Sequence, residues 1–159
     1  VTFGGTVSMH WHEDRLSDIP RSAKVAVFLR DPIARFVSGA NERIRLGEGA
    51  HATAEEWALR IETTVRYSAL LPMATWLDDD LGRLDFIGRT ETLAQDYERL
   101  TRCIGIERPA PLEYRNRAPT KAAPLSPEAI ATLRHYYAAD YALLEQLCGT
   151  SQPVSTARP

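Results

Sequence analysis

The sequence predicts an α/β domain, a parallel sheet flanked by helices, and three observations carry that expectation. Val25-Ala-Val-Phe-Leu29 is apolar at every position and of strand length. Such a run reads as a strand covered on both faces, as in a parallel sheet between helices. Arg30-Asp31-Pro32 ends the run, and Ile33, Phe36, Val37, Ala40 and Ile44 then recur at helical spacing. A second strand-then-helix unit is written at Leu84–Gly88 and Leu93–Ile104.

The elements follow in order. Val1 to Met9 has strand formers interrupted by Gly4-Gly5, which places a short strand near residues 6–9. His10-Trp11-His12 comes next, then a short helix or turn over Glu13 to Ile19 and a loop through Pro20. Pro32 suits the first turn of the helix after the central strand, where a missing N–H costs nothing. Thr53-Ala-Glu-Glu56 is a capping box opening a helix to about Tyr67, with Trp57 and Ile61 on one face. Met73 to Leu77 adds a turn after Pro72. Asp78-Asp79-Asp80 reads as a solvated loop, because adjacent aspartates alternate in direction and rarely share one ion. Gly105 stops the helix that begins at Leu93. Glu107 to Pro127 is Pro-rich and polar, hence a long loop. Ser126-Pro127-Glu128 is an N-cap, a Pro at the first helical position and an early acid. Ile130, Leu133, Tyr137, Tyr141, Leu144 and Leu147 form the apolar stripe of that last helix, which Gly149 caps.

The totals narrow the classes. At 159 residues the chain supports a single domain with a real core, placed at 1–149, with a disordered tail at 150–159. A formal net charge of −2 argues against a general nucleic-acid binder. Cys103 and Cys148 lack metal spacing and fall at the apolar ends of helices, so buried thiols are expected rather than a disulfide. No apolar run reaches membrane-spanning length and no signal peptide is visible. The expected compartment is the cytoplasm for a bacterial chain, and the sequence does not choose between it and a Golgi lumen. The first residue is Val1, not Met, and a fragment of a longer reading frame is expected.

Two places carry chemistry. Arg30 stands at the carboxyl end of a strand, where open α/β sheets bind ligands. A helix start just after it offers N–H groups and the positive end of a dipole. A guanidinium adds a planar fork for phosphate. Ser38 lies further along the helix with Arg35 between. The plain alternative is that Arg30 pairs with a carboxylate and Ser38 merely packs. The second place is His10 and His12, which point to one side of an extended chain. They can be read as metal ligands, as surface residues, or as a pair containing a general base.

Arg30-Asp-Pro-Ile-Ala-Arg35-Phe-Val-Ser38 resembles the 3′-phosphate-binding motif of sulfotransferases that use 3′-phosphoadenosine 5′-phosphosulfate (PAPS), an Arg, then Asn or Asp, then Pro, with Arg and Ser following at these spacings. The nearest subgroup is that of the carbohydrate sulfotransferases and their bacterial relatives, especially the uronyl 2-O-sulfotransferases. The resemblance implies a P-loop-kinase-like fold and PAPS as co-substrate with no metal. It also implies transfer of a sulfuryl group to the hydroxyl of a carbohydrate-type acceptor. It gives Arg30 and Ser38 the 3′-phosphate, with Arg35 placed in the same site. By the family's His-x-His element, His12 is the general base and His10 a supporting or substrate-binding group. Phe86-Ile-Gly-Arg-Thr-Glu-Thr-Leu-Ala-Gln-Asp96-Tyr-Glu-Arg-Leu100 resembles a second family signature, with Glu91 an active-site member by position. Asn116, Arg117 and Lys121 fall where relatives carry a loop that closes over the nucleotide. Tyr136-Tyr-Ala-Ala-Asp140-Tyr141 is similar to the family's closing helix. A Golgi lumen would be the compartment for a eukaryotic relative.

The family's Lys-bearing phosphosulfate loop is not visible in this sequence, so this chain alone is expected to be nearly inactive. A P-loop-type kinase, or a non-catalytic nucleotide-binding or scaffold fragment of the same fold, are the alternatives.

Overall fold

The computed structural model describes residues 16–48, 53–64, 70–77, 80–106, 111–112 and 123–149. His10, His12, the strand expected near 6–9, Asn116, Arg117 and Lys121 lie outside the described residues. The same holds for the expected tail at 150–159.

Two strands, β1 (Val25–Leu29) and β2 (Leu84–Arg89), pair in parallel. Around them stand α1 (Pro32–Arg45), α2 (Ala54–Leu59), α3 (Ile61–Thr64), α4 (Ala74–Leu77), α5 (Leu93–Cys103), α6 (Pro127–Tyr136) and α7 (Ala138–Gly149). Short 3₁₀ turns lie at Leu16–Asp18, Leu81–Arg83 and Thr90–Thr92. The α/β class follows from this arrangement. A parallel pair needs a crossover of a dozen residues or more, which α1 to α4 supply.

The register runs Ala26↔Phe86, Val27↔Ile87, Phe28↔Gly88 and Leu29↔Arg89, with an irregularity between Val25 and Ala26. Asp85 occupies that irregularity and uses it: its carboxylate accepts the Val25 N–H at 2.9 Å and Lys24 Nζ at 2.8 Å. Side chains alternate across a strand. Val27, Leu29 and Ile87 therefore share one face, where they pack with Met73, Leu143 and the flanking residues of α4 and α7. Phe28 and Phe86 share the other face, ring centroids 5.9 Å apart, with the Arg99 guanidinium of α5 over the Phe86 ring at 5.4 Å. Gly88 lets these rings approach; a Cβ there would sit 2.6 Å from the Phe28 ring.

The central strand is less enclosed than an all-apolar run implies. Leu29 is buried, but Ala26 is exposed and Val25, Val27 and Phe28 are only partly covered. Among the described residues the sheet has two strands, so helices do not cover every position of β1.

A larger core lies between helices. Phe36 and Ala40 of α1 pack with Trp57 and Ala58 of α2, Ile61 of α3, Leu70, and Ala129, Leu133 and Tyr137 at α6 and its end. Local signals place these helices. The Thr53–Glu56 capping box closes in both directions. Ser126 caps α6 through the Ala129 N–H, and Glu55 of α2 accepts the Ser126 N–H at 3.0 Å. Gly105 ends α5 in the left-handed region at φ 76°. Two expected single helices are broken. The helix from Thr53 bends at Arg60, and the last one at Tyr137, whose N–H returns to Leu133. Cys103 is exposed rather than buried, because the last turn of α5 turns it to solvent.

Candidate functional site

The site is built at the carboxyl ends of the two strands. Leu29 pairs with Arg89, so Arg30 and the turn after β2 leave the sheet side by side. Asp31 is the N-cap of α1, and its Oδ1 accepts the Ala34 N–H at 2.8 Å. Pro32 follows at the first helical position. This Asp-Pro start explains why the strand breaks sharply after Arg30.

Three carboxylates fix the turn. Glu91 Oε1 accepts the Asp31 N–H at 3.1 Å, crossing from the end of β2 to the end of β1. Its other oxygen meets Arg89 Nε at 3.4 Å. Asp96 of α5 reaches back to the end of β2, accepting the Arg89 N–H at 2.8 Å and the Thr92 hydroxyl at 2.7 Å. Arg99 completes its partners at 2.6 Å. Asp31 Oδ2 accepts the Tyr141 hydroxyl at 3.3 Å. Partial burial raises the Glu91 carboxyl, but the Asp31 N–H, its own N–H and Arg89 outweigh it and hold the group below its ordinary value. For Asp96, burial is likewise outweighed by Thr92, the Arg89 N–H and Arg99. Burial and the neighbouring Asp31 charge push the Tyr141 hydroxyl up.

The helix start consequently offers fewer free N–H groups than expected. The Asp31 N–H is taken by Glu91, Ala34 by Asp31, and Arg35 N–H bonds to the Asp31 carbonyl at 2.9 Å. What stays available is Arg30 itself. It is partly exposed, and among the described residues it makes no hydrogen bond or ion pair. Ser38 lies on the exposed side of α1, about 9 Å along the axis from the helix start.

Arg35 is placed elsewhere. Its Nη2 donates to the Leu71 carbonyl at 2.7 Å and to Asp140 Oδ2 at 3.1 Å. The guanidinium lies over the Trp76 ring at 5.8 Å and the Tyr137 ring at 5.3 Å. Asp140 is fully buried and also accepts the Met73 and Ala74 N–H groups, each at 2.9 Å. Arg35 thus joins α1 to the segment before α4 and to α7, in the core rather than beside Arg30.

Sequence reasoning placed the supporting acids in family-like stretches without foreseeing what they hold. Asp31 had a readable signal, an Asp before Pro at a helix start. Asp96 and Asp140 stood in stretches that resemble the family's second signature and closing helix, but the spacing does not tell that they reach Arg89, Thr92, Arg35, Met73 and Ala74. Among the described residues no group of His, Cys, Asp and Glu is arranged to hold a metal ion. No helix there is long and apolar enough to cross a membrane.

Compared with protein-family models, the curated proteins and the solved structures, the chain gives no significant match.

Proposed function

We propose that this chain carries the 3′-phosphate-binding part of a PAPS-dependent sulfotransferase with a P-loop-kinase-like fold. The reaction moves a sulfuryl group to a hydroxyl of a carbohydrate-type acceptor. Arg30 and Ser38 hold the nucleotide's 3′-phosphate, and His12 takes the acceptor's proton with His10 in support. Asn116, Arg117 and Lys121 belong to the loop over the nucleotide. Attack on sulfur is in line, so positioning and charge stabilisation carry the rate, as in phosphoryl transfer.

One observation supports this reading above the others. Of the two motif arginines, Arg35 is committed to the interior, while Arg30 stands at the strand end with no partner among the described residues. An arginine held on a rigid turn and left unpaired suits a bidentate oxyanion ligand.

Calorimetry with adenosine 3′,5′-bisphosphate against ATP tests the reading. Binding of the bisphosphate in preference to ATP, reduced more than about tenfold in Arg30→Ala, is expected; a charge-assisted bidentate contact is worth at least that much. Unchanged affinity in the variant, or preference for ATP, would overturn the assignment.

A further inference from the structure

We infer that Glu91 is a positioning residue for Arg30, setting the direction in which that guanidinium leaves the sheet; this rests on the nucleotide-binding reading above. The argument begins with the peptide between Arg30 and Asp31. Its N–H points to Glu91 Oε1 at 3.1 Å. A peptide group is planar, so holding its N–H orients the carbonyl side of Arg30 as well. On the far side Asp31 is held by Ala34 N–H and by the Tyr141 hydroxyl, at 2.8 Å and 3.3 Å. On the near side Leu29 is fixed in the ladder opposite Arg89 and is fully buried. Arg30 is the residue between two restrained neighbours.

Glu91 is itself restrained. It sits in the 3₁₀ turn Thr90–Thr92, whose two ends are gripped by Asp96 through the Arg89 N–H and the Thr92 hydroxyl. The bond therefore spans two strand ends that are each anchored to a helix. Both Glu91 oxygens are engaged, one with the Asp31 N–H and one with Arg89. The carboxylate accordingly acts on the phosphate site through the backbone, while its charge is shared with a neighbouring cation.

This role differs from substrate contact and from plain stabilisation, and a double-mutant cycle separates them. Adenosine 3′,5′-bisphosphate is titrated into the wild-type chain, Glu91→Ala, Glu91→Gln, Arg30→Ala and the Arg30→Ala/Glu91→Ala pair, with circular dichroism confirming the fold of each. Glu91→Ala should weaken binding about tenfold, the scale of losing a charge-assisted hydrogen bond. Glu91→Gln keeps an acceptor oxygen and should recover most of that loss. The pair should bind no worse than Arg30→Ala alone, because Glu91 acts through Arg30. Additive losses in the pair, equal losses in the Gln and Ala variants, or a folded Glu91→Ala with wild-type affinity would each overturn the inference and leave the phosphate site standing. A wild-type chain that ignores the bisphosphate overturns both.

Discussion

Two arginines of one motif meet opposite fates. Arg35 enters the helical core, its side chain 14% exposed, and ends on an aspartate that is 0% exposed. Arg30 stands just outside the sheet, partly exposed, with no partner among the described residues. Both belong to the same turn-and-helix segment, and neither residue type nor local charge separates them. Surroundings do. In the core the guanidinium lies near two aromatic rings and meets a carboxylate and a carbonyl. At the strand end Glu91, Asp31 and Asp96 accept backbone N–H groups, and among the described residues none of them pairs with Arg30.

The largest expected effect tests the interior half of that contrast. Asp140→Ala removes the carboxylate that pairs with Arg35 and accepts two N–H groups, those of Met73 and Ala74. Removing one partner of a buried pair typically costs about 3–5 kcal/mol. Chemical denaturation should show it, and a loss below about 1 kcal/mol would mean that the interior pair is dispensable. Next comes the strand end. Asp96→Ala removes the acceptor for Arg89 N–H and the Thr92 hydroxyl and should cost about 1.5–3 kcal/mol.

Asp96 also has a pH signature. Its folded-state value is lowered, so its contribution is complete above the ordinary carboxylate value, about 4, and fades as pH falls through the folded value. The gap between wild type and Asp96→Ala should therefore narrow below about pH 4; a gap that widens in acid would contradict the assignment. Tyr137→Phe loses the hydroxyl that donates to the Leu70 carbonyl at 2.7 Å and should cost about 1 kcal/mol by thermal denaturation, leaving the aromatic contact with Arg35. Smallest is Arg30→Ala, whose stability should stay within about 0.5 kcal/mol of wild type. A large loss there would show that the strand-end arginine also holds the fold together.

Much of the skeleton was legible because its signals are local. Asp31-Pro32, the Thr53–Glu56 box, Ser126-Pro127 and Gly105 each mark a boundary through residues no more than a turn apart, and each boundary is present. The breaks at Arg60 and Tyr137 were not legible: the apolar spacing runs on through both, and only packing decides where a helix bends. The same holds for the site. Arg30 could be singled out from its place after an apolar run. The fate of Arg35 depends on Asp140, and that of the Asp31 N–H on Glu91, partners separated by 105 and 60 residues in sequence. Spacing within a motif carries no information about such pairs. The exposure of Ala26 is a matter of the neighbours beside β1, which an apolar run does not specify.

The aspartate at the start of the last helix carries a consequence for synthesis. Its carboxylate draws together α1, the chain just before α4, and α7. Until that residue has left the ribosome, Arg35 and the Met73 and Ala74 amides lack the group that joins them. Domains tend to fold as units during translation, and contacts of long sequence separation form late. A nascent chain that has exposed residues only up to 137 would thus hold the core of α1, α2 and α6 but leave the chain before α4 unattached and vulnerable to proteases, and would gain protection there when the closing aspartate emerges.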